Sequence, residues 1–424
     1  MQIDIRNSVE EHDVIVVGGG PAGCAAAIAA ARQGADTLIL ESTSALGGMA
    51  TMSLVSAWAP FTDKQKLLYH SIPLEILVRY KRRAGIPEEK WDWVSISPED
   101  LKLVYDEMID ECGAKVLFQS TVCDTVVKDG NIDCLIAANK AGLTPYKAKV
   151  YIDCTGDADV AAFSGVTFEK GSKDNSVQPC SLCFIITNVH SDRIQRPWSS
   201  NPKEGLWQRI RDDGKYPLIS KHFIPAEFGD TIIANAGHLF QVDSTDPEQI
   251  SKAYVLGRQT AQQYLAALKE YMPEAFCDAM IAATAPILGV RESRRIEGEY
   301  CFTLEDYLCR RSFPDEIARN CYWLDCHASR KSVKETWDNA RHEKYQPGES
   351  HGIPWRCLVP KALDNLLVAG RSISMERMAL ASIRVMPNCL AMGEAAGIGA
   401  AIAAKQGIGI HALDPQAVIS RIGK

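Results

Sequence analysis

The feature that most constrains this chain is the order of short patterns between residues 13 and 41. An apolar, β-branched run at 14–17 ends in the sequence GGGPAG at 18–23, which opens an alanine-rich stretch. A second apolar run at 37–40 is followed by an acid, Glu41. A buried parallel strand, a glycine turn, a helix, a second strand and a terminal acid are the parts of a dinucleotide-binding βαβ unit. We therefore predict such a unit near the start of the chain.

Each part of this unit has a mechanical role. Gly18 permits a tight turn, Gly20 lets the backbone approach a pyrophosphate, and Gly23 lets the helix pack against the strand. The free N–H groups at the start of the helix favour the phosphates. Glu41 can accept hydrogen bonds from both ribose hydroxyls and would repel a 2′-phosphate. A glycine-rich turn that binds nothing is disfavoured, because the complete strand–glycine–helix–strand–acid context is present.

The composition narrows the class of protein. A chain of 424 residues is long for one simple domain, so we expect two interleaved domains. An apolar fraction of 46% and a charged fraction of 23% are typical of a soluble globular protein. The formal net charge of −7 argues against a nucleic-acid partner.

The sequence also predicts a cytoplasmic, reduced protein with no membrane span. The N-terminus is acidic (Asp4, Glu10) where a secretory leader would be basic and then apolar. The fourteen cysteines are scattered, which suits small buried hydrophobic residues. The stretch at 389–404 is apolar but short, and it contains Glu394, so we do not expect it to cross a membrane.

Further along the chain, residues 64–112 are expected to be mostly helical, with a start signal at Ser97-Pro98. Runs of β character follow at 115–119, 121–127 and 132–138, and Asp129-Gly130 indicates a hairpin between the last two. A strand predicted at 149–153 then runs into Thr155-Gly156-Asp157, a second junction from strand to glycine to helix.

Residues 165–350 change character, with polar loops, tryptophans and alternating apolar segments, as expected for an inserted domain. From residue 352 the nucleotide-binding pattern returns: an apolar strand at 365–369 runs into Gly370, and Pro387 opens a helix rich in small residues. A close-packed core helix would explain those small residues equally well. The predicted fold is therefore α/β, with a Rossmann-like, three-layer nucleotide-binding domain (1–164 and 351–424) and an inserted α+β substrate domain (165–350).

This arrangement resembles the FAD-dependent oxidoreductases of the glutathione-reductase-like superfamily, near the fumarate reductase and succinate dehydrogenase flavoprotein branch. The resemblance implies an isoalloxazine ring held between the two domains. It is carried by runs that recur in the right order over nearly the whole chain: Gly18 to Gly23 with Glu41, GGMAT at 47–51, DCTGD at 153–157, RESRRIEG at 291–298, and the stretch from Gly370-Arg371 through Gly397.

The resemblance and the returning C-terminal element favour FAD over NAD, since a longer ligand would be held at both ends. By similarity, Arg384 and Asn388 lie at the pyrimidine side of the flavin, and the helix after Pro387 points its N-terminus at flavin O2 and N1. Pro387 and Cys389 differ from the glycine and serine usual in the fumarate reductase branch. The implied FAD contacts are Gly18, Gly20, Pro21, Ala22, Gly23, Glu41, Ser42, Gly47, Gly48, Met49, Ala50, Val122, Thr155, Gly156, Asp157, Gly370, Arg371, Asn388 and Cys389.

Three absences refine the prediction. No second GxGxxG follows a strand, so no dedicated NADPH domain is expected. No cysteine pair lies soon after Glu41, which argues against a dithiol disulfide reductase. No histidine lies between Glu41 and Gly47, so we predict noncovalent FAD.

Candidate catalytic residues lie in the inserted segment and just after it. Arg291, Arg294 and Arg295 are the candidates for an anion clamp, because planar guanidinium groups suit a carboxylate or an enolate oxygen. An ion-pair network with neighbouring glutamates is the alternative for each of these three. The resemblance places Arg384 in contact with the substrate or the flavin, so it is a further catalytic candidate. His327 is the predicted general acid/base, with Asp325 orienting its ring, although a structural histidine is the alternative.

Two further candidates have weaker support. His351 and Arg356, just before the chain re-enters the nucleotide-binding domain, form the next candidate pair. Cys180-x-x-Cys183 begins a predicted strand, in which positions three apart face opposite sides, and no second cysteine or histidine pair completes a ligand set. No metal site is predicted.

The predicted function is an FAD-dependent oxidoreductase that moves a hydride between a small organic substrate and flavin N5. The anion clamp suggests a substrate with a carboxylate, carbonyl or hydroxyl group. The electron acceptor or donor of the other half-reaction is unknown: a second substrate, a quinone-like or protein carrier, or dioxygen. The alternatives are a non-redox flavin or nucleotide protein, as in the thiazole-biosynthetic relatives, and a noncatalytic FAD-binding subunit.

Overall fold

The structure, a computed structural model, describes residues 10–172, 176–194, 205–220, 223–327 and 344–423. The strands are β1 (Glu10–Val17), β2 (Thr37–Leu40), β3 (Lys115–Leu117), β4 (Thr121–Lys128), β5 (Asn131–Asn139), β6 (Gly142–Asp153), β7 (Phe168–Lys170), β8 (Phe184–Thr187), β9 (Phe223–Phe228), β10 (Thr231–Ala236), β11 (Met280–Thr284), β12 (Arg294–Ile296), β13 (Glu316–Asn320), β14 (His351–Pro354) and β15 (Leu366–Val368).

The helices pack around these strands, and short 3₁₀ turns lie at 191–193, 355–358 and 410–412. The α-helices are α1 (Pro21–Arg32), α2 (Ser71–Arg83), α3 (Pro98–Cys112), α4 (Asp159–Phe163), α5 (Leu206–Asp212), α6 (Pro247–Tyr271), α7 (Pro273–Phe276), α8 (Leu304–Leu308), α9 (Arg377–Ile383), α10 (Met386–Gln406) and α11 (Pro415–Ile419).

A seven-stranded sheet confirms the α/β prediction. Its order is β3-β2-β1-β6-β5-β4, and β15 pairs with β6. Strands β3, β2, β1, β6 and β15 run parallel, whereas β4, β5 and β6 form an antiparallel meander. The parallel strands end together, so the residues after Val17, Leu40, Asp153 and Val368 meet at one edge of the sheet. Ligands of open α/β sheets bind at this carboxyl edge.

Helices α1 and α10 cover one face of this sheet and pack against each other unusually closely. A Cβ atom added at Gly393 would lie 2.0 Å from the carbonyl oxygen of Ala22, and one added at Gly397 would lie 2.1 Å from that of Ala26. The small residues of α10 therefore have a packing explanation, the alternative left open by the sequence. Within the described ranges no single helix is long and apolar enough to cross a membrane, and only the bent pair α9–α10, at 94°, passes by length and composition.

A second sheet, antiparallel in the order β11-β8-β10-β9, lies within the segment predicted to be inserted. It packs against the 25-residue helix α6 through a core that includes Phe184, Trp207 and Tyr264. Helix α6 begins cleanly because Asp246 accepts hydrogen bonds from the next turn and Pro247 fills its first position. The exact domain boundaries at 164 and 351 stay a prediction.

Local predictions from turn and cap residues are mostly confirmed. Helix α3 starts at Pro98, and the hairpin at Asp129-Gly130 joins β4 to β5. The expectation that residues 64–112 are mostly helical is correct for α2 and α3 but wrong between them. Gly85, with a φ of +65°, and Pro87 end the helical run there.

Candidate functional site

The glycine turn after β1 is as tight as the motif requires. Gly18 has a φ of +94°, and a Cβ atom there would lie 2.7 Å from the carbonyl oxygen of Cys154. A Cβ atom at Gly23 would lie 1.8 Å from the carbonyl oxygen of Gly18. Gly20 differs, because nothing lies within 4 Å of its added Cβ atom and the residue faces a cavity. The first turn of α1 thus opens onto space that the protein leaves unfilled.

Glu41, at the end of β2, is a buried acid on the same cavity. Its residue surface is only 6% exposed. Oε2 accepts a hydrogen bond from the backbone N–H of Gly19 at 2.5 Å, and Oε1 accepts one from that of Thr43 at 2.7 Å. These two bonds fix the carboxylate beside the glycine turn, where the βαβ unit needs an acceptor for ribose hydroxyls.

The cavity has a volume of about 440 Å³, within the usual range for ligand pockets. It runs along the carboxyl edge of the large sheet and on towards the second sheet. Most residues expected to contact the cofactor line it: Gly18, Gly20, Pro21, Ala22, Glu41, Ser42, Gly48, Met49, Val122, Thr155, Gly156, Asp157, Gly370, Arg371 and Cys389.

Four residues of that expected set do not line the cavity, and each has a structural role. Gly23 packs against Gly18, as described above. The N–H of Gly47 donates to the carbonyl of Gly19 at 2.7 Å, and Ala50 is bonded back to Gly47. Asn388 is fully buried: it accepts a hydrogen bond from the Tyr69 hydroxyl at 2.5 Å and donates to the carbonyl of Ile383 at 3.1 Å. The amide of Asn388 therefore holds the α9–α10 junction.

Arg371 places a positive charge near the glycine turn. Its guanidinium lies 3.1 Å from Oδ1 of Asp157, which also accepts a hydrogen bond from Ser244 at 2.9 Å. Gly156 makes room for it, since a Cβ atom there would be 2.6 Å from Cζ of Arg371. The Nε atom of Arg371 is buried and has no hydrogen-bond partner in the described part of the chain. A guanidinium group on the wall of the cavity, with a buried donor still available, suits a phosphate-bearing ligand.

At the other end of the cavity lies a compact group of charged and titratable residues around His327. Nε2 of His327 lies 3.2 Å from Oδ1 and 3.3 Å from Oδ2 of Asp325. Asp325 also accepts hydrogen bonds from Arg384 at 3.3 Å and from the Tyr322 hydroxyl at 3.2 Å. All four residues line the cavity.

The predicted clamp arginines differ in whether they line the cavity. Arg291 is buried, lines the cavity, and donates to the carbonyl of Pro179 at 2.7 Å and to Ser181 at 3.0 Å. Arg295 does not line the cavity: it is paired with buried Glu292 at 3.1 Å and donates to the carbonyl of Met375. Arg294 does not line the cavity either, and it pairs with Asp159 at 2.7 Å. The structure therefore brings Arg291 together with Arg384 and His327, and leaves Arg295 in the ion-pair network with a glutamate that was the alternative.

Burial sets the protonation of this group. It lowers the pKa of His327 to about 4, a shift that Asp325 opposes and the charges of Arg291 and Arg384 assist. Burial alone would raise the pKa of Asp325, but His327, Arg384 and Arg291 hold it well below its usual range. Because a carboxylate only accepts, neutral His327 carries its proton on Nε2, which leaves the lone pair on Nδ1. At neutral pH the imidazole of His327 is therefore neutral and Asp325 is ionised.

Other sequence candidates lie elsewhere. His351 is hydrogen-bonded to Tyr345 and Asn320, and Arg356 is paired with Asp315 at 2.9 Å; neither lines the cavity. All fourteen cysteines are free thiols, and Cys180 and Cys183 are buried just before β8.

Sequence reasoning missed several residues that the fold brings to the cavity or beside it. Trp93, Ile224 and Tyr322 line it, and the ring of His238 lies 4.9 Å from that of His327 in an edge-to-face arrangement. They come from distant loops and strands, and no motif or spacing in the sequence marks them.

A parallel sheet with a glycine turn, a buried acid after β2 and a cavity extending to a histidine–carboxylate pair defines a nucleotide-cofactor enzyme of the Rossmann type. A family model described as FAD dependent oxidoreductase matches residues 13–422. The chain therefore belongs to the FAD-dependent oxidoreductase family, and FAD is its cofactor.

Individual relatives are more distant. The chain is similar to thiamine thiazole synthase from Methanococcus aeolicus, with 34% identity over 163 residues (36% of this chain and 57% of that protein). It is also similar to 3-oxosteroid 1-dehydrogenase from Comamonas testosteroni, with 38% identity over 74 residues (18% of this chain and 13% of that protein). The chain thus spans less than two thirds of the length of these curated relatives. A triple mutant of the flavin-dependent brominase Bmp2 shares the fold, at 13% identity and a TM-score of 0.50, over 96% of this chain and 83% of that one.

Proposed function

We propose that this enzyme transfers a hydride equivalent between a small organic substrate and flavin N5, with His327 exchanging the accompanying proton. The observation that carries the proposal is the His327–Asp325 pair, held beside Arg384 on the same cavity as the glycine turn. Bound FAD supplies the two-electron chemistry. A substrate that is oxidised loses one hydride and one proton, and reduction reverses both transfers.

The residues of this chain bind, orient and deprotonate the substrate. In the oxidation direction, Nδ1 of His327 takes the proton, and Asp325 fixes the ring and stabilises the imidazolium that forms. Among the described residues of this group, Arg384 and Arg291 carry two positive charges and Asp325 carries one negative charge, since His327 is neutral. This surplus favours a substrate with a carboxylate, or with a carbonyl or hydroxyl oxygen that gains negative charge in the reaction.

We also propose that this enzyme belongs near the fumarate reductase and succinate dehydrogenase branch. FAD would then bind noncovalently between the nucleotide-binding domain (1–164 and 351–424) and the inserted segment. Support comes from the position of Arg384, which lines the cavity just before α10. Most of the expected FAD contacts also line this cavity, including Met49, Thr155 and Gly370.

One anaerobic experiment tests the redox proposal. The bound flavin is photoreduced and then offered a panel of acceptors: α,β-unsaturated carboxylates, enones, quinones and dioxygen. Reoxidation by an organic acceptor, faster than for free reduced FAD, is the expected result. A reduced flavin that none of the acceptors reoxidises faster than the free cofactor would reject the proposal.

The second candidate is a non-redox role in thiazole biosynthesis, favoured by the similarity to thiamine thiazole synthase. The same experiment separates the two, because a non-redox protein has no reason to accelerate flavin reoxidation.

A further inference from the structure

An aromatic cluster connects the exposed surface to the His327–Asp325 pair. Trp93, Tyr322 and Trp323, here called the aromatic wall, have ring centroids 4.5 Å apart for Tyr322–Trp323 and 5.4 Å apart for Trp93–Trp323. Trp93 and Tyr322 line the cavity, whereas Trp323 stacks on Tyr322 and makes a tilted ring contact with Trp93. The Tyr322 hydroxyl donates to Asp325, so the wall ends at the catalytic pair.

Trp93 has a backbone conformation that is unfavourable for a tryptophan. Its φ is +54°, in the left-handed region that bulky residues avoid, and 43% of its surface is exposed. Backbone strain of this kind is typically kept where it serves a binding or switching role. Ile224, which lines the same cavity, is also exposed, at 44%. Two large apolar side chains therefore stand at the accessible part of the cavity.

The end of the cavity near His327 is positively charged, in contrast to the apolar accessible part. Arg384 and Arg291 both line the cavity, and the Nε atom of Arg384 is buried with no hydrogen-bond partner in the residues that the structure describes. Among the described residues of this group, Asp325 is the carboxylate, and His327 and Tyr322 add no charge at neutral pH. An anionic group on a ligand would give the buried Nε atom of Arg384 an acceptor.

From this juxtaposition we propose that the cavity binds a flat, ring-bearing monoanion, such as an aromatic carboxylate or a phenolate, with its ring against Trp93 and Tyr322 and its anionic group towards Arg384. The proposal rests on the proposed function, whose substrate class it narrows. Stacking on aromatic side chains selects planar rings, and the desolvated guanidinium selects the charge. A short aliphatic acid would use only the second feature, and a neutral aromatic compound only the first.

The test is equilibrium binding to the FAD-loaded protein, followed by the visible spectrum of the flavin and by calorimetry. Three probes separate the two features: benzoate has a ring and a charge, benzamide has the ring without the charge, and propionate has the charge without the ring. We expect benzoate to bind at least about tenfold more tightly than either of the others. Equal affinity for benzoate and propionate, or no binding of benzoate, would overturn the proposal.

Two variants localise the effect. Trp93→Gly removes the ring and relieves the positive φ, so we expect about a tenfold weaker affinity for benzoate and an unchanged affinity for propionate. Phe163→Ala, which truncates another exposed aromatic residue that does not line the cavity, should bind benzoate like the wild type. Wild-type benzoate affinity in Trp93→Gly would overturn the placement of the ring.

Failure of this proposal is distinguishable from failure of the proposed function. A protein whose photoreduced flavin is reoxidised by an organic acceptor, but which binds propionate as well as benzoate, keeps its redox function and loses the ring-binding assignment. The reverse result, tight benzoate binding with no reoxidation, rejects the redox function and keeps the binding site.

Discussion

Nε2 of His327 lies within 3.3 Å of both carboxylate oxygens of Asp325, and the same carboxylate accepts a hydrogen bond from Arg384. This geometry fixes the orientation of the imidazole and leaves Nδ1 as the basic nitrogen. Burial keeps the ring neutral, so the proposed base needs no activating step at neutral pH.

Replacing His327 with glutamine should slow the reduction of the flavin by substrate by about 10²–10⁴-fold, the usual contribution of a general base. FAD should remain bound, because most of the proposed FAD contacts, including Gly18 and Glu41, line the part of the cavity away from His327. Anaerobic stopped-flow absorbance measures the rate. His190→Gln, at a surface histidine paired with Asp278, is the matched control and should reduce at the wild-type rate.

The pH profile distinguishes a proton-transfer role from a structural one. Since the pKa of His327 is lowered to about 4, the base form dominates above that pH, and the rate of flavin reduction should be flat near neutrality and fall only as the pH approaches about 4. Asp325→Asn removes the charge that raises this pKa, so any inflection should move lower still. A wild-type inflection near the ordinary histidine value would contradict the buried, neutral base.

Much of the nucleotide-binding half could be predicted from the sequence because its determinants are local. The turn at Gly18, the acid at Glu41 and the start of α3 at Pro98 each depend on residues a few positions apart. The aromatic wall could not be predicted in this way. Trp93 and Tyr322 approach each other only because a loop before α3 and an irregular segment after β13 fold onto the same cavity.

The positions of the arginines at 291–295 depend on tertiary packing, which the sequence pattern does not reveal. The sequence suggested an anion clamp, but it could not say which arginine faces the ligand. Arg291 precedes β12 and lines the cavity, whereas Arg295 lies within β12, directed to buried Glu292. Asn388 is similar: motif likeness suggested flavin contact, but its amide is occupied by Tyr69 and the α9 carbonyls.

Glu41 offers a test of which end of the cofactor it contacts. Glu41→Gln keeps the shape but loses the negative charge, so we expect about tenfold weaker binding of FAD, the typical cost of weakening a hydrogen bond to a charged group. ADP should be weakened by the same factor and riboflavin by none, because the proposed contact is to the adenosine ribose. Fluorescence titrations measure all three. Glu75→Gln, which removes a carboxylate from a surface ion pair with Arg32, serves as the control.

Two glycine substitutions separate ligand approach from helix packing. Gly20→Ala meets no protein atom within 4 Å and has an ordinary φ of −71°, so the FAD-free protein should unfold with an unchanged free energy while its affinity for FAD falls. Gly397→Ala puts a Cβ atom 2.1 Å from the carbonyl oxygen of Ala26, between α1 and α10. That overpacking should cost about 1–3 kcal/mol of unfolding free energy. Equal effects of the two changes on stability would contradict this division.

Glu394, buried in the middle of α10 beside the first turn of α2, should make stability depend on pH. Burial raises its pKa from 4.5 to about 7, against the hydrogen bonds from Ser71 and Ile72. The folded state therefore holds the proton more tightly than the unfolded state. The free energy of unfolding should therefore fall as the pH rises from about 4.5 to about 7. Above about 7 this contribution is constant, at about 3 kcal/mol in total.

Glu394→Gln removes this titration and keeps an oxygen that accepts from Ile72. The variant should match the wild type near pH 4.5 and become progressively more stable than it up to about pH 7, with a constant difference beyond. Urea unfolding at a fixed, saturating concentration of FAD measures this difference at each pH. Glu99→Gln changes an exposed acid in the first turn of α3 and should show no comparable trend. A stability difference that is the same at all pH values would mean that folding does not raise the pKa of Glu394.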